Sequence, residues 1–327
     1  MKQPSKNWQE TIAPQEEEIF NKYAEPFKQL QRKKSNLFGK GRGLHRKQLL
    51  GLKAKFEVLY EIPEYAKSGL FAKAGTFESL IRLSNGGMDK KPDSTPDIRG
   101  FAIKVQGLNG PGALGSLTSS QDFLLINHAV FSLPDFESFI KLVLSLGNGI
   151  GSLLSYLISK YGFLGGLKKI GETAKTMGKP FSSFATEAFD SAAPISVGTY
   201  AAKVRILPHR KSEGKKLKTT WANDFKEHLD SGDLVFDFQL QFFVDDAITP
   251  IENPTIEWPE NESPFITVGR LTIPKQDVDT ENTGKLAADI ETAKFDPWNA
   301  LIEHKPLGQI MRARKHYYFL SQEERSK

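Results

Sequence analysis

Arg314 stands four residues before Tyr318 in the closing stretch RARKHYYFLSQEERSK, a spacing that puts guanidinium and phenol on one face of a helix. A fixed positive charge there lowers the phenol's proton affinity and favours phenolate, a hard anionic ligand suited to ferric iron. The plainer account is a surface arginine beside a half-buried tyrosine. Tyr317 points about a third of the way round the helix from Tyr318 and suits packing against a neighbouring element.

The six histidines are His45, His128, His209, His228, His304 and His316. They form no HExxH pair or other metal-ligand spacing, and no GxSxG, P-loop or GxGxxG follows a strand. The common hydrolase, kinase and dehydrogenase chemistries therefore lose most of their support. The chain has no cysteine, which excludes disulfides, thiolate metal sites, cysteine nucleophiles and cysteine-ligated haem. His45, in GRGLHRKQ just ahead of a strand, is expected to project into a barrel interior as an acid/base group at neutral pH; an exposed loop histidine among cations is the alternative. Arg82 and Arg99 lie inside apolar strand patterns. Inward-pointing guanidiniums need anions, supplied by a local carboxylate or by a bound dianion such as a pair of haem propionates.

These groups need a scaffold, and the rest of the chain describes one. Its 327 residues, 39% hydrophobic and 25% charged, with 23 phenylalanines, fit a globular protein with a substantial core. A helix is expected from about Ala13 to Lys34, with Pro14 near its first turn and acidic residues following. In LKAKFEVLY, Leu52, Ala54, Phe56, Val58 and Tyr60 alternate with charged residues as in a half-buried strand. Further strands are expected at 79–84, 98–106, 122–127, 199–207, 234–244 and 264–273. Phe236, Phe238, Leu240 and Phe242 share one face of the sixth. Glycine and proline clusters separate these runs and no regular helix joins them, so the fold class is α+β with a closed or nearly closed antiparallel β-barrel of about eight strands and flanking helices.

Two blocks interrupt the strands. In the first, about Asp135 to Met177, Lys160 is the only charge between Leu142 and Leu167. That window is long enough to span a bilayer, but its six glycines argue for two or three short helices, as a buried or cavity-lining hairpin or a membrane-contacting patch. The second is a C-terminal helix over about 307–325. The expected division is a helical arm over 1–40 and a barrel domain over 41–327, with a helical insertion over about 135–190. The N-terminus lacks the apolar core of a signal peptide, so a cytoplasmic location is the default, with membrane association as the alternative. The net charge of +5 comes partly from the run between Lys28 and Gln48, which reads as a solvated face or a site for anionic membrane. No nucleic-acid signature accompanies it.

Together these pieces resemble the catalase family. IRLSNGGMDKKPDSTPDIRGFAIKV resembles its RFS…D.RGFA.K core, TSSQDFLLINHAVFSLPD the strand and turn that follow, and RGLH with KAKFEVL the distal-histidine segment. The tail carries the proximal pattern R-x-x-x-Y-x-x-[ST]-x-x-x-R at Arg314, Tyr318, Ser321 and Arg325. The blocks run in family order from about residue 42 to 325 and resemble most its short branch.

The resemblance implies a catalase-like haem fold binding haem b, with Tyr318 as iron ligand and Arg314 stabilising its charge. It implies His45 as distal acid/base oriented by Ser84, with Arg42, Arg82 and Arg325 near the propionates or proximal edge and Phe131 stacked on the porphyrin. The implied function is a haem-dependent, hydroperoxide-consuming oxidoreductase, a catalase-like peroxidase acting on hydrogen peroxide or an organic or lipid hydroperoxide. The alternatives are a fatty-acid hydroperoxide isomerase or lyase of the allene oxide synthase type and a non-catalytic haem-binding protein. A homodimer is a family-level expectation. Two departures stand out: Ser119, Ser120 and Gln121 occupy the region where the family places a distal asparagine, and RGLH lacks the glycine-rich run that follows the histidine.

Overall fold

The computed structural model describes residues 2–210 and 220–326. In chain order its elements are α1 (Glu16–Phe38), β1 (Gln48–Val58), β2 (Gly75–Asn85), β3 (Arg99–Pro111), β4 (Leu117–Ile126), α2 (Phe136–Gly147), α3 (Ile150–Met177), β5 (Phe189–Asp190), β6 (Ile195–Val197), β7 (Tyr200–Pro208), α4 (Trp221–Asp230), β8 (Leu234–Phe242), β9 (Phe265–Ile273), α5 (Glu281–Thr292) and α6 (Gln309–Ser326).

Eight strands close into an antiparallel barrel. The order runs β5-β4-β3-β2-β1-β9-β8-β7, and β5 pairs back onto β7, with β6 added alongside β7. Closure depends on the two-residue β5, where Ile126 pairs with Asp190 on one side and Arg205 pairs with Asp190 on the other. Full closure removes the exposed sheet edges that invite aggregation.

Alternation in the sequence decides which residues fill the barrel. Leu52, Ala54, Phe56 and Val58 are all buried, as are Phe236, Phe238, Leu240 and Phe242. Their aromatic rings interlock: Phe56 and Phe123 each meet Phe238 edge-on, with centroids 4.9 Å apart in both pairs. The barrel interior is thus a packed aromatic core. Tyr60 departs from the expected alternation because β1 ends at Val58, and Tyr60 is 85% exposed.

Two helices lie where loops are expected. Between β7 and β8, Thr220 caps α4 by accepting from Asn223 N, and Trp221, Phe225 and Leu229 form its buried stripe. Between β9 and α6, Thr280 caps α5 in the same way, with Ile290 as its buried residue. A second apolar cluster lies outside the barrel, where Phe20, Phe27 and Leu30 of α1 meet Phe136 and Ile140 of α2 and Tyr317 of α6.

Candidate active site

A cavity of about 760 Å³ lies between the barrel wall and the helices, within the roughly 300–1,000 Å³ span typical of ligand sites. It sits against the outer face of the barrel. Ile81 and Leu83 belong to the barrel core, so Arg82 and Ser84 on the opposite face of β2 look out under the helical layer. The expectation that His45 projects into the barrel interior is therefore corrected, because phenylalanines fill that space. His45, Ser84, Arg42, Arg82, Phe131, Arg314, Tyr318 and Arg325 all line this one cavity.

His45 precedes β1 in a left-handed backbone conformation, φ 51°, held by His45 N donating to Gly86 O at 2.9 Å. Next to it Arg46 is buried and donates to Gly39 O at 2.8 Å and Gln31 O at 3.3 Å, fixing the loop to α1. His45 Nδ1 lies 3.1 Å from Ser84 Oγ. The β2–β3 register sets Ser84 beside Gly100, and a Cβ there would stand 2.5 Å from His45 Nδ1 and 2.8 Å from Ser84 Oγ. Only glycine leaves room for the pair. The ring faces the cavity and is screened from bulk water, so burial first, then Arg82, Arg314 and Arg42, lowers the pKa of His45 to about 3. It is neutral at physiological pH.

On α6, Arg314 Nη2 donates to Tyr318 Oη at 3.0 Å, with the guanidinium 5.3 Å from the ring centroid. Tyr317 also lines the cavity, but its hydroxyl is tied up outside it, donating to Phe20 O at 2.9 Å, and its ring packs against α1 and α2. The two walls are tied directly: Gly43 N donates to Ser321 Oγ at 3.2 Å. Gln31, buried on α1, donates to Gly41 O at 3.0 Å and Ser321 O at 3.1 Å.

At one edge three guanidiniums converge on Glu291 of α5. Arg82 Nη2 is 2.8 Å from its carboxylate and Arg42 Nη1 3.1 Å. Arg42 also donates to Glu291 O at 2.7 Å and Ala293 O at 2.8 Å, and Arg325 Nη1 donates to Glu291 O at 3.3 Å. Arg325 Nε is buried with no acceptor among the described residues. Burial first, then the neighbouring Arg82, lowers Arg42 to about 9 despite Glu291 opposite. One carboxylate for three guanidiniums leaves a cationic excess, which an anionic ligand would relieve. Arg82 thus has the local carboxylate of the plainer account, within a cluster that carries charge to spare.

Nothing in the sequence alone marks Glu291 or Gly100. Glu291 sits on a helix with a weak apolar stripe, and Gly100 reads as an ordinary strand glycine until its neighbours across the register are known. Arg99 is elsewhere, bonded to Asn85 and to Asp93 O and Thr95 O and set over Trp221. Ser119, Ser120 and Gln121 do not line the cavity. Ser120 Oγ accepts from Asn299 Nδ2 at 2.8 Å, and Gln121 Oε1 from Leu301 N at 2.9 Å. Ala102, Leu124 and Ile126 form the wall there.

The chain has the catalase fold. It is similar to a fungal catalase (TM-score 0.66, 16% identity, 99% of this chain and 66% of that one) and to catalase A from Saccharomyces cerevisiae (TM-score 0.68, 16% identity, 99% and 67%). A bacterial catalase matches at TM-score 0.63 and 16% identity over 98% and 63%. The chain spans about two thirds of the length of these catalases. No protein-family model and no curated protein sequence matches it.

Proposed function

We propose that the cavity binds haem b through Tyr318 and that the loaded protein is a hydroperoxide-consuming oxidoreductase of the peroxidase kind. The observation that carries this is the opening of two pairs, Arg314–Tyr318 and His45–Ser84, onto one cavity with a cationic rim. The fit is chemical as well as spatial. Phe131, Leu124 and Val143 supply apolar wall for a porphyrin, and Arg42, Arg82 and Arg325, with the unpartnered Arg325 Nε, supply donors for its two carboxylates. No group of three histidine or acidic side chains able to hold a metal occurs among the described residues, and a tyrosinate-held haem needs none.

When bound, the haem supplies the electrons for O–O cleavage. The protein's own residues do the rest. Arg314 stabilises phenolate at Tyr318 by charge and hydrogen bond. Ser84 holds His45 by Nδ1, leaving Nε2 for the peroxide, where the neutral ring accepts the proton of the inner oxygen and returns it to the outer one, which leaves as water or alcohol. The wall at Ala102 and Leu124 offers no amide to orient a second peroxide, which favours reduction by an electron donor over dismutation.

A second reading, the fatty-acid hydroperoxide isomerase or lyase, draws on the part of the cavity lined by α2 and α3. Phe139, Leu142 and Leu146 form an apolar run there, and Lys169, Lys175 and Lys179 stand near it, a setting for an aliphatic chain with a carboxylate head. The deciding assay compares hydrogen peroxide with a lipid hydroperoxide, with and without an electron donor, on haem-reconstituted protein. Donor oxidation is expected, with His45→Ala slower by about 10²–10⁴-fold. Rearranged lipid products without donor consumption would favour the second reading, and haem binding with no turnover of either peroxide would leave a non-catalytic haem carrier.

A further inference from the structure

The helical segment between β4 and β5 carries a feature that the cavity chemistry does not use. At Gly162 the backbone of α3 leaves helical geometry, with φ 70° and ψ 173°. The two halves then double back on each other: a Cβ on Gly166 would lie 3.0 Å from the backbone of Ile158 and 3.1 Å from that of Leu157. Glycine at 166 permits that approach, and glycine at 162 permits the positive φ. The tip of the resulting hairpin is apolar and faces outward, with Phe163 65% exposed, Leu164 80%, Leu167 47% and Tyr161 40%. Adjacent large apolar residues at such exposure mark an interaction surface.

The charges around the tip indicate what it meets. Over residues 135–179, Lys141, Lys160, Lys168, Lys169, Lys175 and Lys179 stand against Asp135, Glu137 and Glu172. Lys160 reaches Ser138 Oγ at 3.1 Å and lies over the rings of Tyr156 and Tyr161, Lys141 pairs with Glu137, and Lys169 pairs with Glu172. The segment remains cationic after these pairs are counted. No helix among the described residues is long and apolar enough to cross a membrane, so insertion would be interfacial. Apolar side chains ringed by lysines suit a surface with an apolar interior and anionic head groups.

We propose that this hairpin tip docks on an anionic lipid bilayer, with Phe163 and Leu164 entering the acyl boundary and Lys160 and Lys168 meeting the head groups. Lys169, Glu172 and Lys175, beyond the tip on the second half of α3, line the cavity. Docking therefore brings this part of the cavity wall close to the lipid phase. It requires nothing of the chemistry inside.

The test is co-sedimentation of the full chain with vesicles of equal parts phosphatidylcholine and phosphatidylglycerol, against vesicles of phosphatidylcholine alone. Binding is expected to the anionic vesicles, to weaken as salt is raised, and to fall about tenfold or more in a Phe163→Ser, Leu164→Ser double variant. Both side chains are exposed, so the variant should keep the wild-type Tm and circular dichroism. A Lys168→Glu variant gives an independent reading of the electrostatic part and should also bind more weakly. Failure of the wild type to sediment, or equal sedimentation of the double variant, would overturn the proposal. So would a dimer in sizing experiments that the same two substitutions dissociate, since the tip's occupant would then be a second copy.

Discussion

His45 shows how far a site can move one residue's chemistry. Enclosure and three nearby guanidiniums lower its pKa to about 3, so the folded ring stays neutral while the unfolded one takes a proton near pH 6.5. Between those values the unfolded state binds more protons. The contribution is fully present above about pH 6.5 and is lost as pH falls toward 3, by at most about 1.4 kcal/mol per pH unit. Replacing His45 by Gln removes this one dependence. In denaturant titrations, the stability of wild type relative to His45→Gln should hold constant from pH 8 to 7 and decline from about pH 6 to 4. A constant difference across that range would mean that the ring ionises in the folded protein as it does in water. His304, lowered to about 4 chiefly by burial, adds its own acid sensitivity to both proteins and cancels in the comparison.

At the scale of elements, register is what converts a strand pattern into a site. Gly100 is opposite Ser84 because β2 and β3 pair as they do, and a one-residue slip would turn Arg82 and Ser84 into the aromatic core. Gly100→Ala should leave the barrel intact at a cost of about 1–3 kcal/mol, read as a lower Tm, while driving His45 and Ser84 apart. Peroxide turnover should then fall further than in Ser84→Ala, where only one hydrogen bond is lost. Turnover in Gly100→Ala equal to wild type would show that the contact does not position His45. The strands were legible in the sequence because alternation is a strong local signal: all seven long runs lie where hydrophobicity places them, with ends displaced by a few residues. The missing pieces had weak signals. β5 is two residues long, α5 has Ile290 as its buried residue, and the stripe of α4 is spread over ten residues and interleaved with polar side chains. The cavity's place outside the barrel follows from the aromatic filling of its interior, which shows only once the strands close into a ring.

At the scale of the whole molecule, the site belongs to no single element. His45 precedes β1, Ser84 and Gly100 lie on β2 and β3, the rim joins those strands to α5, and Arg314 and Tyr318 stand on α6. Gln31 of α1 and the Gly43–Ser321 contact hold these parts together. Individual candidates were visible in the sequence through their neighbours, as Tyr318 was through Arg314, but Glu291 acquires meaning only where Arg42, Arg82 and Arg325 meet it. The two adjacent tyrosines of the tail both line the cavity and differ in their hydroxyls: that of Tyr317 is bonded to Phe20 O, and that of Tyr318 lies beside Arg314. Haem titration followed by ferric absorption spectroscopy on wild type, Tyr317→Phe and Tyr318→Phe tests this assignment most directly. Wild type and Tyr317→Phe should take up haem in equal proportion to chain and show the high-spin spectrum of tyrosinate ligation, and Tyr318→Phe should lose it. The same spectrum retained in Tyr318→Phe would contradict Tyr318 as the ligand.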